Sequence, residues 1–101
     1  MDLNNYQIKD IILTLTEVIF TNNIPHKQTK VTVTDNRKEP DPFINVYIEI
    51  TPAKGDILLK TLRLLKLKYN GHIVVESYDL PSEDKTVYDI DIFPIYDIDN
   101  F

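Results

Sequence analysis

The segment FINVYIEI, Phe43 to Ile50, alternates apolar and mixed side chains without a break, and that alternation constrains the fold more than any other feature of the chain. A strand turns successive side chains to opposite faces, so Ile44, Val46, Ile48 and Ile50 share one face. Phe43, Asn45, Tyr47 and Glu49 share the other. A row of four branched aliphatic side chains needs an apolar cover, whereas a face holding Asn and Glu meets water. That combination describes a one-sided antiparallel sheet. It requires helices with an apolar stripe elsewhere in the chain.

Two segments supply them. From Asn4 to Thr21, Ile8, Ile12, Leu15 and Ile19 recur every three or four residues, and Ile11, Leu13, Val18 and Phe20 widen the stripe. Asn4 or Asn5 can cap the start. Thr21-Asn22-Asn23-Ile24-Pro25 ends the run, because asparagine tolerates the left-handed conformation and proline cannot continue a helix. The second helix opens at Thr51-Pro52, carries Leu58, Leu62, Leu65 and Tyr69 as its stripe, and closes at Asn70-Gly71. Asn-Gly is also a hairpin signal, and Leu65-Lys66-Leu67-Lys68-Tyr69 alternates like a strand, so residues 62–69 have two readings. Helix is preferred, because Leu58 to Leu65 fits no single strand face.

Lys27 to Asp35, His72 to Asp79 and Thr86 to Phe93 alternate and are rich in β-branched residues, which predicts three more strands. NRKEPDP, residues 36–42, and LPSEDK, residues 80–85, are the turns between them. Pro94 breaks the last strand, and residues 94–101 read as a loose tail or an edge piece. The order is αββαββ. It predicts one α+β domain spanning 1–101, a two-layer sandwich with a four-stranded antiparallel sheet and two helices on one face. The halves match in element order, with Asp10-Ile11-Ile12-Leu13 in the first helix where Asp56-Ile57-Leu58-Leu59 stands in the second. This order resembles a circularly permuted ferredoxin-like fold. It is a likeness of fold, which carries no function by itself.

Composition excludes much chemistry. With no cysteine there is no disulfide, no thiolate nucleophile and no cysteine-based zinc site. With two glycines there is no phosphate-cradling loop and no dinucleotide fingerprint. Ser77 and Ser82 neighbour neither His26 nor His72 in sequence, and both histidines read as loop side chains on the surface. No apolar run approaches the ~18–20 residues of a membrane span, and MDLNNYQIKD does not have the form of a leader. The expectation is a cytoplasmic chain that is not an enzyme, needs no cofactor and meets no membrane. Fourteen Ile, eight Asn, and nine Lys against two Arg point to AT-rich coding, common in low-GC bacteria and their phages.

Charge is unevenly placed. Residues 1–75 hold ten basic and eight acidic side chains, while 76–101 hold Lys85 against Glu76, Asp79, Glu83, Asp84, Asp89, Asp91, Asp97 and Asp99. The net charge of −5 therefore belongs to the last quarter of the chain. Such segregation marks an interaction surface. Within YDIDIFPIYDID, alternation puts Tyr88, Ile90 and Ile92 inward and Asp89 and Asp91 outward. An edge aspartate also blocks pairing between sheets. Asp89 and Asp91 stand ~6.6–7 Å apart along an extended strand, and Asp-x-Asp can offer two oxygens to Mg²⁺ or Ca²⁺. The six or more oxygens of a Ca²⁺ site are lacking, so no metal is expected.

The second helix has two further features. Lys54, Lys60, Arg63, Lys66 and Lys68 spread over its outer arc rather than forming a ridge, and an acidic chain has little general affinity for phosphate, so nucleic acid is not the expected partner. Ile57, Leu64 and Leu67 project opposite the buried stripe and are candidates for self-association as a homodimer. The leading expectation is a non-catalytic binding protein that docks a basic, nucleic-acid-binding partner through Glu76, Asp79, Glu83, Asp84, Tyr88, Asp89, Asp91, Tyr96, Asp97 and Asp99. Carboxylates at ~6.6–7 Å come close to twice the ~3.4 Å step of a DNA strand, the logic of a nucleic-acid mimic. Small acidic inhibitors of CRISPR and restriction enzymes from phages and other mobile elements work this way. The alternative is a small assembly or regulatory module without nucleic-acid mimicry, dimerising through Ile57, Leu64 and Leu67 or through sheet edges.

Overall fold

The structure, a computed structural model, describes residues 2–21, 29–36, 38, 42–51 and 55–94, with the backbone alone for residues 20 and 21. The first helix, α1, spans Asn5–Thr21. Asn4 caps it. The Asn4 carboxamide oxygen accepts from the Gln7 N–H, and the Gln7 Oε1 accepts from the Asn4 N–H, both at 2.9 Å. This reciprocal pair satisfies two donors that the first turn leaves unpartnered. The buried line of α1 is Ile8, Ile11, Leu15 and Ile19. Ile12, expected in that line, packs half-buried at its flank. Thr14 and Thr16 turn their hydroxyls back to the carbonyls of Asp10 and Ile12, at 2.7 and 2.8 Å, so these side chains are satisfied within the helix.

The second helix, α2, spans Gly55–Lys68 and buries Leu58, Leu62 and Leu65. Residues 62–68 are helical, and Leu67 is 79% exposed, so the strand-like alternation there is not used. Tyr69 follows as the last buried side chain, and Gly71 adopts φ 84° to turn the chain into the sheet, a conformation that favours glycine.

Four strands follow the expected order: β1 (Lys30–Asp35), β2 (Ile44–Ile50), β3 (Ile73–Leu80) and β4 (Lys85–Ile92). They form one antiparallel sheet in the order β1-β2-β4-β3. The second strand of each αββ half lies in the middle and the first at an edge, so the order is symmetric about the β2–β4 pair. A 3₁₀ turn at Pro81–Glu83 closes the β3–β4 hairpin, and Asp84 at φ 52° completes it. The start expected at Lys27 for the first strand, and the tail beyond residue 94, lie outside the described residues.

One face of the sheet carries the core. Ile44, Val46, Ile48 and Ile50 of β2 pack with Tyr88, Ile90 and Ile92 of β4, Ile73 of β3 and the buried lines of both helices. Burying one such aliphatic side chain contributes about 1.5–3 kcal/mol. The helices are tied to each other at one end. The Tyr69 hydroxyl donates to Asp10 Oδ2 at 2.7 Å and Lys68 Nζ approaches the same oxygen at 3.3 Å. At the other end Gly55 lies against Tyr88, whose hydroxyl donates to the Gly55 carbonyl at 3.4 Å. The cover stops short of β1, where every residue is exposed.

Candidate functional site

The uncovered face of the sheet is built by register. Asn45 stands opposite Asp91, Tyr47 opposite Asp89, and Glu49 opposite Val87. From the other side of β4, Val74 meets Asp91, Glu76 meets Asp89, and Tyr78 meets Val87. Lys30, Thr32 and Thr34 of β1 complete the same rows next to β2. β4 thus runs down the middle, with an acidic half at Asp89 and Asp91 and an aromatic half at Val87.

Asn45 organises the acidic half. Its one side-chain amide nitrogen donates to Asp89 Oδ1 at 2.5 Å and to Asp91 Oδ1 at 2.8 Å. The two carboxylate oxygens therefore lie no more than 5.3 Å apart (2.5 plus 2.8), closer than an extended strand alone would set them. Both amide hydrogens are consumed, while each carboxylate keeps further acceptor sites. Glu76, beside Asp89, adds a third negative charge. Among the described residues none of these three acids has a lysine or arginine ion-paired to it.

The aromatic half is more closed. Tyr47 and Tyr78 stand on the same face, on either side of β4. Val87, between their strands, is fully buried although it faces away from the helices. Burial, then the neighbouring Tyr78 hydroxyl and the nearby Glu49 and Asp89 carboxylates, push the Tyr47 phenol up to about 12. Glu49 is only 7% exposed and is ion-paired at 3.8 Å with Lys30, whose ammonium lies 6.0 Å from the centre of the Tyr47 ring. The charge of Glu49 is thus offset, and the negative field of this face comes from Glu76, Asp89 and Asp91.

The ten residues expected to form one surface do not stay together. Glu76, Asp89 and Asp91 share the open face. Tyr88 does not belong to it. It is 5% exposed in the core between sheet and helices, because strand alternation turns it opposite to its aspartate neighbour. Asp79 pairs with Thr86 on the helix side of the sheet and accepts from its hydroxyl at 3.0 Å. Glu83 and Asp84 are exposed at the hairpin tip. Tyr96, Asp97 and Asp99 lie outside the described residues. The compact acidic site is therefore a triad, and its organiser, Asn45, comes from the other half of the chain.

Burial places two more groups of residues. His72, read as a surface histidine, is 2% exposed, with Nδ1 2.6 Å from the Phe93 carbonyl. A carbonyl only accepts, so Nδ1 carries the proton. Ile57, Leu64 and Leu67 are exposed, at 37%, 68% and 79%. Among the described residues no group of three or more His, Asp or Glu side chains is arranged to hold a metal ion, and no helix is long and apolar enough to cross a membrane.

Comparison with known protein families, with curated proteins and with solved structures finds no match to this chain.

Proposed function

We propose that the chain is a non-catalytic binding protein, working in the cytoplasm, whose open sheet face docks a basic surface of a partner protein. The observation that carries this reading is the Asn45 bridge. Two carboxylates on adjacent outward positions of one strand repel each other, and here one amide holds both, with Glu76 alongside and, among the described residues, no cation paired to any of the three. Two carboxylates held this close make a seat for a single ammonium or guanidinium head, which donates to the acceptor sites that Asn45 leaves open. Their spacing fits one cationic head better than two successive phosphate positions of a DNA strand. The partner is accordingly a protein with exposed Lys or Arg, of the kind that handles nucleic acid, and an inhibitor from a phage or other mobile element is a natural setting. Its test is titration with a lysine-rich peptide. Affinity that falls as salt rises, and that is lost when Glu76, Asp89 and Asp91 are each changed to Lys, supports the reading. Equal affinity of that variant rejects it.

A further inference from the structure

The six residues of β1 are all exposed, on both faces of the strand. Natural sheets protect an edge with charges, proline or a bulge inside the strand. β3, the other edge, has Glu76 and Asp79 within its span. β1 has Lys30 and Asp35 only at its ends, and between them the run Val-Thr-Val-Thr with no charge, proline or glycine. Val31 and Val33, on the helix side, remain 44% and 49% exposed. Next to them a groove of about 320 Å³ opens between β1 and α1, lined by five apolar side chains, Ile12 and Val33 among them, and by Asn5, Lys9 and Asp35. An unprotected edge and an uncovered apolar strip thus coincide.

We infer that two copies of this chain pair through β1, antiparallel, about a twofold axis at Thr32, joining two four-stranded sheets into one of eight strands. A twofold axis perpendicular to the sheet keeps like faces together, so only residues on the same face can stand opposite each other. The register that sets Thr32 against Thr32 of the second copy sets Val31 against its Val33, twice. A shift by two residues faces Val31 with an Asp35 carboxylate, or leaves one valine without an apolar neighbour. The centred register therefore gathers four valines into one strip between the two α1 helices, continuous with both grooves. The end charges agree with it. Lys30 then stands opposite Thr34 of the second copy and Asp35 opposite its Thr29, so no like charges are set against each other.

The exposed side chains of α2 are the rival surface. Leu64 and Leu67 are flanked there by Lys60, Arg63, Lys66 and Lys68, and a twofold contact through that face would set lysine against lysine.

The full chain in analytical ultracentrifugation at micromolar concentration is expected to show twice its 11.8 kDa mass. Val33→Lys, at a half-exposed site, is expected to be monomeric with an unchanged circular dichroism spectrum. Leu64→Lys is expected to remain dimeric. The chain has no cysteine, so register can be read by single substitutions. Opposed residues of antiparallel strands lie within disulfide reach, and oxidised Thr32→Cys should cross-link at least about tenfold faster than Thr34→Cys, whose opposite residue is Lys30. A monomeric wild-type chain, a dimer that survives Val33→Lys but not Leu64→Lys, or equal cross-linking of the two cysteine variants overturns the inference.

Discussion

Asn45→Ala removes the amide that joins the two outward aspartates of β4. The amide makes two short hydrogen bonds to carboxylates, each of a kind that contributes about 1.5–3 kcal/mol. Both aspartates are half-exposed, and water replaces part of what is lost, so the expected cost is about 2 kcal/mol in total. With an unfolding entropy of about 2.1 cal/mol/K per residue over 101 residues, that lowers the melting temperature by about 9 °C. Asn45→Asp keeps the shape but turns the donor into a third carboxylate. Each like-charge pair at ~4 Å adds about 1 kcal/mol of repulsion even at the dielectric constant of water. This variant should melt below Asn45→Ala at pH 7 in low salt, and the gap should narrow in high salt as the repulsion is screened. Thermal and urea melts followed by circular dichroism measure both differences. A cost under about 0.5 kcal/mol for Asn45→Ala, within the usual range of surface substitutions, refutes the bridge as an organising contact. So does Asn45→Asp melting no lower than Asn45→Ala in low salt.

Two further outcomes follow from contacts elsewhere. The Tyr69 hydroxyl, then Lys68, hold the Asp10 carboxyl below the usual carboxylate range; a depressed folded value contributes stability above the unfolded value of about 3.9 that is lost as pH falls through the folded one. Urea melts of wild type and Asp10→Asn should therefore differ at pH 6 and converge in acid, and a constant difference contradicts the assignment. At Gly55, an added Cβ would meet the Tyr88 hydroxyl at 2.7 Å, so Gly55→Ala should destabilise by about 1 kcal/mol despite alanine's better helix propensity. Combined with Tyr88→Phe the substitution should become neutral or stabilising relative to Tyr88→Phe alone, and an unchanged penalty rejects the contact as the cause.

The readable part of this fold was its periodicity. Alternation in β2 and β4 identified the aliphatic row that the helices cover, and the 3–4 residue recurrence located α1 and the stripe of α2. Alternation could not decide residues 65–69, because every second residue there is Leu or Tyr in either reading; packing of Leu62, Leu65 and Tyr69 in the core settled them as the end of a helix and its exit turn. Nor could it show that β1 stands uncovered, since the pattern states which residues share a face and not whether a helix reaches it. The acidic site was legible only where local rules suffice. Asp89 and Asp91 face outward as their alternation requires, but Asp79, still exposed, turns to the helix side because Glu76 and Asp79, three apart, fall on opposite faces of one strand. Asn45 was invisible as an organiser, because its link to Asp89 and Asp91 spans 44 and 46 residues and depends on the β2–β4 register. His72 looked like a loop residue, and it is buried because Phe93 closes over that end of the sheet through two hydrogen bonds.

The most direct measurement is an amide chemical-shift map of the lysine-rich peptide titration on the ¹⁵N-labelled chain. The shifts should concentrate on residues 45–47, 74–76 and 89–91 and shrink with salt. Shifts centred instead on Glu83 and Asp84 at the hairpin tip, or spread evenly over every acidic residue, would contradict docking on the open sheet face.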